Sequence, residues 1–501
     1  MTLPEVDAVP ERLLALLSYD ASSPLIFSSG LFLFLFAGFL LLYGMFRRAP
    51  MARIVYVILF SLYFYYKSSG IYFLLLIFAA TSDFLIARIM ARTESRARRR
   101  WLVALSVAVN LGMLGYFKYT NFLIDIANQM FGQGFLQFRN IFLPVGISFF
   151  VFQSMSYTID VYRRQLQPLT NWLDYLFYLS FFPQLVAGPI VRARDFIPQI
   201  RQNPVVVTRE MFGTGVFLIL TGLFKKAIIS DYISLNFVDR IFDEPLLYSG
   251  FECLAGIYGY ALQIYCDFSG YSDMAIGIAL LLGFRFPKNF DAPYKSATIT
   301  EFWRRWHISL SSWLRDYLYI SLGGNRKGRL RTYVNLLLTM LLGGLWHGAA
   351  VRFILWGALH GVALALHKVW LRVVPGAKAA GAQMHGWSRI LGMLLTFHLV
   401  CFGWLMFRAE SMQTVGLMLH QIFHNFNAAM IPQVISGYAG VFALIAAGYL
   451  LHLLPARVDA ATQRLVTYAP LVLQILMAAA MIWCVMQIKS SDIQPFIYFQ
   501  F

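Results

Sequence analysis

The sequence has few charged residues, and this scarcity limits the class of protein it can be. Asp, Glu, Lys and Arg make up 13% of the 501 residues, whereas 59% are hydrophobic. Average soluble domains carry about 25% charged residues. The four cysteines lack the spacing of metal or redox motifs and are interpreted as small core residues. The composition therefore argues against an ordinary soluble domain and against a disulfide framework.

Long apolar runs recur along the whole chain and predict an all-α polytopic membrane protein. A spanning helix needs about 20 mostly apolar residues. Runs that meet or approach this length lie at 25–46, 71–90, 141–162, 211–229, 332–350, 351–371, 390–407, 434–454 and 466–488. Shorter runs at 51–66, 101–117, 170–190 and 254–284 bring the total to roughly a dozen membrane elements. The runs are too long and too uniform for the strands of a membrane barrel.

Acidic residues are the scarcer charge, since 24 Asp and Glu against 41 Lys and Arg leave a net charge of +17. The basic residues cluster in short loops between apolar runs, which is typical of cytoplasmic loops and argues against nucleic-acid binding. These clusters lie at 47–53, 92–100, 163–164 and 326–331. If they are cytoplasmic, both termini lie outside. Residues 1–24 lack the basic start of a secretory signal and are treated as an N-terminal extension.

Polar residues, glycines and prolines interrupt the apolar pattern mainly between 170 and 350. A membrane protein tolerates broken helices where protein or a water-filled cavity satisfies the freed backbone, so a functional site is expected in this region. The segment 180–198 contains Pro183, Gly188 and Pro189, which prevent one straight helix. It is either a re-entrant or kinked element or a loop at the membrane interface.

The segment 298–328 predicts an amphipathic helix at a membrane interface. Thr298 and Glu301 have the spacing of a capping box, and glycines at 323 and 324 mark the end of the helix. The apolar face carries Trp303, Trp306, Leu310, Trp313, Leu314 and Tyr317. His307 falls on this buried face. It is either a core histidine bonded to a backbone carbonyl, which the pattern of this helix alone favours, or part of a site.

His347 lies inside the apolar run 341–350 and is flanked by Gly343, Gly344 and Gly348. Ionisable residues within spans are costly and indicate function by default. Glycines let a backbone or a substrate approach closely. A neutral histidine here can take a proton from a hydroxyl or thiol and return it, as acyl transfer requires. A hydrogen bond between helices explains the residue equally well.

The other histidines give weaker signals. His360 and His367 lie seven residues apart, on one face of the next predicted span. Together with His347 they are a conceivable metal site, but no carboxylate or cysteine lies close in sequence, and no metal is predicted. Four further histidines are interpreted as loop or interface residues: His398, His420, His424 and His452.

Two aspartates and one tyrosine complete the set of candidates. Asp267 and Asp273 lie in an otherwise apolar stretch, and buried carboxylates need partners. Three arginines are candidates for that pairing: Arg285, Arg304 and Arg305. A structural ion pair is favoured over a catalytic role. Tyr498, in the aromatic end of the chain, is either an interface anchor or a hydroxyl that enters the site from outside.

Several of these segments together resemble the membrane-bound O-acyltransferases. They are Phe268–Ala275, Asn289-Phe290, Pro293-Tyr294, Phe302–Leu310 and Leu345–Ala349. Ile26–Ser29 and the end Phe496–Phe501 are similar to the bacterial branch that contains the alginate O-acetylation membrane subunit. Relatives in that branch serve peptidoglycan and cellulose acetylation and teichoic-acid D-alanylation. The resemblance covers nearly the whole chain.

The resemblance implies a ring of tilted transmembrane helices around a thin core, with re-entrant and interfacial helices. It implies one transmembrane domain over 25–488, a histidine-bearing core at about 170–370, and an extracytoplasmic tail at 489–501. His347 then matches the active-site histidine of the family, His307 matches its second histidine, and Tyr498 resembles an acyl acceptor. The residues then expected to line or support the substrate site are Trp303, Arg304, Trp306, Trp346, Asp267 and Asp273.

The resemblance also implies the reaction and its partners. An acyl group, acetyl by preference, would come from acyl-CoA or an acyl carrier protein, with no bound cofactor. It would cross the bacterial inner membrane and reach a polysaccharide through a partner of the SGNH type. D-alanyl transfer to a cell-wall polymer is the alternative. A transporter or flippase shares the broken helices but would show a repeat between halves, and a non-catalytic scaffold of an export complex is the third alternative.

Overall fold

The computed structural model describes residues 8–21, 23–374 and 385–488, and the regular structure in these ranges is helical. The chain divides into two compact units. Unit 1 is Met1–Thr208 with Ala279–Phe286, and unit 2 is Arg209–Ile278 with Pro287–Phe501.

Unit 1 consists of helices joined by loops of varied length. They are α1 Ala8–Leu17, α2 Gly30–Met45, α3 Pro50–Ser69, α4 Phe73–Ala91, α5 Arg96–Leu114, α6 Thr120–Phe131, α7 Ile147–Tyr162, α8 Trp172–Ser180, α9 Phe182–Leu185 and α10 Ala193–Ile200. Helix starts follow local chemistry: the Ser29 hydroxyl accepts the Phe32 amide at 3.2 Å, and Pro50 occupies the first turn of α3. Both devices satisfy or remove amides that have no partner within a helix.

Unit 2 contains the longer and more irregular helices. They are α11 Arg209–Leu223, α12 Asp231–Ile233, α13 Asp239–Asp243, α14 Gly250–Leu281, α15 Ile299–Arg305, α16 Ile308–Trp313, α17 Arg329–His347, α18 Val351–Val373, α19 Gly386–Arg408, α20 Met412–His424, α21 Ile431–Gly437, α22 Ala439–Leu453, α23 Ala456–Tyr468 and α24 Leu471–Ile488. Three π-helical stretches of unit 2, Phe224–Ser230, Ser234–Val238 and Leu314–Tyr319, follow α11, α12 and α16. Such π segments are frequent at functional sites.

The prediction of a multi-pass helical membrane protein is confirmed. Within the described ranges, five helical stretches are long and apolar enough to cross a membrane: Pro50–Ala91, Arg96–Phe131, Arg209–Asp243, Val351–Val373 and Gly386–Arg408. Two bent helix pairs, at 94° and 115°, raise the number to seven if each is one span. The predicted dozen is larger because it counts short helices such as α2, which has only 16 residues. Large apolar side chains are exposed on these helices, as contact with lipid requires.

The prolines and glycine of segment 180–198 interrupt the helical pattern, as predicted. Helix α9 ends at Leu185 and α10 begins at Ala193. Residues 180–191 are buried throughout, which fits a kinked element rather than a loop on the surface.

Helices α17 and α18 form an antiparallel hairpin in unit 2 whose backbones touch. A Cβ added at Gly344 would overlap the carbonyl oxygen of Phe353, and one added at Gly357 would overlap that of Met340. Near the other end, a Cβ at Gly361 would lie 3.0–3.2 Å from atoms of Leu337 and Met340. The small residues therefore fix which side chains of the two helices lie level with one another.

Candidate active site

The predicted continuous helix over 298–322 is wrong at His307, where the chain breaks. Helix α15 starts as the capping box requires, because the Thr298 hydroxyl accepts the Glu301 amide at 3.1 Å. It ends at Arg305, and His307 adopts a left-handed conformation with φ +43° and ψ 56°. Such a φ is uncommon for a residue other than glycine, and it marks strained positions that cluster at active sites.

Asn289 explains why the helix can break here. Its backbone carbonyl accepts the Ile308 amide at 2.8 Å. Its side-chain carbonyl accepts the Ser309 amide at 3.1 Å and the Ser309 hydroxyl at 2.8 Å. Asn289 thus caps α16 from outside the helix and satisfies amides that a continuous helix would have bonded internally. Helical periodicity carries no trace of a cap supplied from 19 to 20 residues upstream of the capped amides.

The His307 ring is fully buried, as predicted from its position on the apolar face. Its Nδ1 donates to the side-chain oxygen of Asn289 at 3.3 Å. The Phe268 ring lies edge-on at 4.5 Å between centroids. Burial lowers the pKa of His307 to about 3, so the imidazole is neutral at physiological pH.

His347 is the last residue of α17 and is 3% exposed. Three aromatic rings surround its imidazole: Trp346 at 4.9 Å, Trp356 at 5.0 Å and Phe407 at 5.2 Å between centroids. The next residue, Gly348, turns the chain out of the helix with an extended backbone. Since a Cβ at Gly348 would overlap the Phe353 ring, the glycine lets the chain leave α17 directly beside the histidine.

Trp346 connects the two histidines, which lie forty residues apart in sequence. Its indole is 6.3 Å from the His307 ring and 4.9 Å from the His347 ring, both measured between centroids. The sequence predicted His307 and His347 as site residues on separate grounds, and the structure brings both to one aromatic side chain. Their surroundings exclude water, which strengthens the electrostatic interactions of any bound group.

The remaining predicted residues of segment 298–328 divide between the site and its supports. Trp303 lies near the site, since its indole contacts the Trp356 ring at 5.8 Å. Trp306 is buried and packs against Trp404 at 4.8 Å between centroids. Arg304 is exposed.

The pairing predicted for the two aspartates is wrong, although the expectation of ion pairs is right. Asp267 bonds Lys226 at 2.5 Å and Asp273 bonds Lys225 at 2.6 Å, so neither uses the proposed arginines. Lys226 also bonds Asp231 at 2.7 Å. Two adjacent lysines inside the apolar run 211–229 were the available signal, because charges within a span need partners.

The Lys226 cluster supports the site rather than forming it. Lys226 and Asp267 are buried, at 3% and 2% exposure. The residue after Asp267 is Phe268, whose ring contacts His307. The ion pairs therefore fix the part of α14 that packs against the second histidine.

The other histidines differ in their surroundings. His360 is fully buried, and His367 hydrogen-bonds Thr300 at 2.8 Å. His452 was interpreted as a loop or interface residue, but it is buried in α22 and accepts the Tyr294 amide at 3.1 Å. His398 is exposed and hydrogen-bonds Tyr258 at 3.0 Å. In the described ranges, no three or more metal-binding side chains converge.

Tyr498 and the tail 489–501 lie outside the described residues, as do residues 1–7 of the predicted N-terminal extension. The acceptor role predicted for Tyr498 therefore stays a prediction.

Comparison with known proteins gives a consistent result. Residues 150–407, which contain both histidines, match the membrane-bound O-acyltransferase family. The chain is 43% identical over 406 residues to the "Probable alginate O-acetylase AlgI" of Pseudomonas aeruginosa, covering 80% of this chain and 75% of that protein. It is 36% identical over 420 residues to the "Peptidoglycan O-acetyltransferase" of Helicobacter pylori, covering 78% of each. It is 29% identical over 286 residues to the "Teichoic acid D-alanyltransferase" of Bacillus subtilis, covering 54% of this chain and 70% of that protein.

Proposed function

This chain belongs to the membrane-bound O-acyltransferase family, and we propose from that premise that it takes an acetyl group from a cytoplasmic thioester and passes it across the membrane to a polysaccharide or cell-wall polymer. The observation that carries the proposal is the meeting of His307 and His347 at Trp346. The alginate and peptidoglycan relatives, named as O-acetyl-transferring proteins, support acetyl as the group and an extracytoplasmic polymer as the acceptor. Family membership favours an enzyme over the transporter and scaffold alternatives.

His347 acts as the general base in this proposal. A hydroxyl oxygen attacks the thioester carbonyl, the new C–O bond forms, and the C–S bond breaks. The imidazole takes the hydroxyl proton and returns it to the departing thiolate, so that the histidine is unchanged after one transfer. Burial of the ring among Trp346, Trp356 and Phe407 keeps water from competing with the acceptor hydroxyl.

His307 is a positioning residue in this proposal. Its neutral ring is held by Asn289 and lies near the same indole, Trp346, as His347. A neutral imidazole there can orient the incoming hydroxyl or share its proton. The pairs Lys226–Asp267 and Lys225–Asp273 hold the helix that carries Phe268 against it.

The wider arrangement follows from the same proposal. The protein lies in the bacterial inner membrane with basic loops in the cytoplasm, which places both termini outside. Tyr498 accepts the acetyl group first, and an SGNH-type partner then moves it to the polymer. Acetyl-CoA is the preferred donor, and an acyl carrier protein is the second. The D-alanyltransferase relative makes D-alanyl transfer the alternative, although it covers less of this chain than the O-acetylating relatives do.

The test is covalent labelling of the protein in lipid nanodiscs with radiolabelled acetyl-CoA. Wild type is expected to retain label, and His347→Ala and Tyr498→Phe are expected to lose it. Removing a general base lowers a rate by about 10²–10⁴-fold, so the initial rate of labelling of His347→Ala should fall by at least the lower figure. His398→Ala serves as a matched control, because His398 is exposed and contacts none of the site rings described above.

Two outcomes would reject the proposal. Full labelling of His347→Ala would remove His347 from the chemistry. A wild-type protein that takes acetyl groups from neither acetyl-CoA nor an acetyl-loaded carrier protein would reject acetyl transfer as its reaction, and D-alanyl-loaded carrier protein would then be tried as the donor.

A further inference from the structure

Beyond His347, two buried side chains and one half-buried side chain bring buried, unmatched nitrogen atoms together. Trp303, Trp356 and His360 form a group of mutually contacting rings, here called the nitrogen cluster. The centroid distances are 5.8 Å for Trp303–Trp356, 5.2 Å for Trp303–His360 and 4.7 Å for Trp356–His360. His360 is 0% exposed and Trp356 is 1% exposed.

The nitrogen atoms of this cluster lack hydrogen-bond partners in the part of the chain that the structure describes. They are Nε1 of Trp303, Nε1 of Trp356, and both Nδ1 and Nε2 of His360. A buried polar atom left unmatched costs its full desolvation free energy, and the great majority of such atoms are paired. Four of them in one ring cluster indicate a polar group that binds there.

The nitrogen cluster adjoins the proposed base. The Trp356 ring contacts His347 at 5.0 Å and His360 at 4.7 Å. Trp356 therefore contacts both imidazoles, so a ligand bound at the nitrogen cluster would lie one side chain away from His347.

The position of the cluster along the helix hairpin gives a direction. Gly344 lies level with Phe353, whereas Gly361 lies level with Leu337 and Met340. His360 is therefore displaced from His347 toward the start of α17 and the end of α18. Those two ends carry the basic residues Arg329, Arg331, Lys368 and Arg372, so they form the cytoplasmic side if the charge rule holds. A cytoplasmic donor would approach His347 from this side.

The chemistry of the four nitrogens restricts the ligand. An indole nitrogen only donates a hydrogen bond, whereas a neutral imidazole donates one and accepts one. The cluster therefore needs acceptors together with at least one donor. A secondary amide offers both, through its carbonyl oxygen and its N–H. Thioester donors built on pantetheine carry such an amide two carbons from the sulfur atom.

We propose that Trp303, Trp356 and His360 bind the pantetheine amide nearest the thioester and so place the acyl carbonyl at His347. This inference rests on the proposed function, because it assumes a pantetheine thioester as the donor. Acetyl-CoA and an acetyl-loaded carrier protein share this arm, so the site would serve either donor. The bound amide orients the reacting carbonyl through a group that takes no part in the bond changes.

The test compares two small donors with and without the amide. S-acetyl-N-acetylcysteamine has the amide, and S-pentyl thioacetate has a chain of similar length without it. Wild type is expected to favour the first in kcat/KM by about tenfold or more, the effect of one matched hydrogen bond to a buried polar group. His360→Phe and Trp303→Phe, which remove nitrogen atoms and keep an aromatic ring, are expected to reduce that preference toward one.

His398→Phe is the matched control, because both ring nitrogens of His398 have partners, Tyr258 at 3.0 Å and the Leu394 carbonyl at 2.7 Å. It should keep the wild-type preference. His360→Phe should also fold, since it replaces unmatched nitrogens with an apolar ring of similar size. The Tm of His360→Phe is therefore expected to equal or exceed that of wild type. If His360 were only structural, His360→Phe would leave the donor preference unchanged.

The outcomes separate this inference from the proposed function. If wild type transfers acetyl from both small donors equally, or if His360→Phe and Trp303→Phe keep the wild-type preference, the amide site is wrong and the acyltransferase stands. If wild type transfers acetyl from no thioester, the proposed function fails first. With the amide site supported, acetyl-CoA and acetyl-loaded carrier protein are compared as full donors. Whichever is accepted should lose a similar factor in His360→Phe.

Discussion

Two buried polar clusters, one in each unit, differ in whether their polar atoms have hydrogen-bond partners. In unit 1, Asp83 is 0% exposed, and its carboxylate accepts the Ser106 hydroxyl at 2.7 Å, the Asn110 amide at 2.7 Å and the Ser154 hydroxyl at 2.5 Å. In unit 2, the four nitrogen atoms of the nitrogen cluster are also buried, but they have no such partners within the described residues. Each cluster includes residues of a helical stretch that is long enough to span a membrane: Asp83 lies in Pro50–Ala91, and Trp356 and His360 lie in Val351–Val373.

The difference separates a structural polar cluster from a binding one. Lipid offers no hydrogen bonds, so polar side chains that only join helices must satisfy one another. In the Asp83 cluster the carboxylate on α4 is satisfied by donors from α5 and α7, although the Asn110 Oδ1 atom has no partner in the described ranges. Unmatched groups are tolerated where a ligand completes them, and the nitrogen cluster adjoins the proposed base. The Lys226 cluster belongs with the first kind, because its charges pair within the chain.

The largest expected effect comes from breaking the Lys226 cluster, whose buried charges pair with one another. Lys226→Met removes the cation that holds Asp267 at 2.5 Å and Asp231 at 2.7 Å. Leaving a buried charge without its partner costs about 3–5 kcal/mol. We expect a correspondingly lower free energy of unfolding, and a loss of acyl transfer that follows the loss of folded protein. Thermal unfolding in detergent, followed by tryptophan fluorescence, measures the first quantity.

The double variant Lys226→Met with Asp267→Asn is the control for that experiment. It removes the charge that the single variant leaves buried, so it should recover part of the lost stability. A single variant as stable as wild type would show that these ion pairs contribute little and would weaken the contrast between paired and unmatched clusters.

The second prediction tests whether the Asp83 cluster is structural only. Asp83→Ala removes the acceptor of three donors, and unmatched buried donors cost about 1–3 kcal/mol. Ser106 and Ser154 keep second contacts with Thr158 and Tyr175, which places the loss toward the lower end. Activity per folded molecule is expected to be unchanged. Acyl transfer that fell further than the folded fraction would place this cluster among the functional ones.

The sequence was sufficient for the class of fold, and it singled out the two histidines that the structure brings to Trp346. Apolar length predicted membrane helices because the bilayer imposes that length on any chain that crosses it. His347 was identified because an ionisable residue in an apolar run is costly enough to need a reason. The capping residues Thr298 and Glu301 fixed the start of α15, since a cap is a local interaction and can be recognised from local sequence.

What the sequence missed depends on contacts between distant segments. Periodicity predicted a straight helix through His307, but Asn289 caps the second half from another part of the chain. Lys226 was hidden in a run counted as an ordinary span, so Asp267 was matched with arginines instead. His360 looked like one more histidine in a span. The structure shows that Trp303 and Trp356 pack against it and that its two ring nitrogens have no hydrogen-bond partner in the described ranges.

The smallest expected effect is that of removing one serine hydroxyl, and it is tested by comparing Ser309, beside the candidate site, with Ser106 of the Asp83 cluster. Ser309 donates its hydroxyl to Asn289 at 2.8 Å, and the Ser309 amide bonds the same oxygen at 3.1 Å. Ser309→Ala therefore leaves Asn289 one of these two donors and should cost about 1 kcal/mol or less, the net value of one hydrogen bond. Because Asn289 also holds His307, we expect the rate of acetyl transfer to fall several-fold, since a small misplacement of a site group lowers the rate.

Ser106→Ala is the matched variant in the Asp83 cluster. It should lose as much stability or more, since its acceptor is a carboxylate, and keep the wild-type rate per folded molecule. Equal rates for the two variants, measured beside their unfolding curves, would show that Asn289 contributes only to the fold.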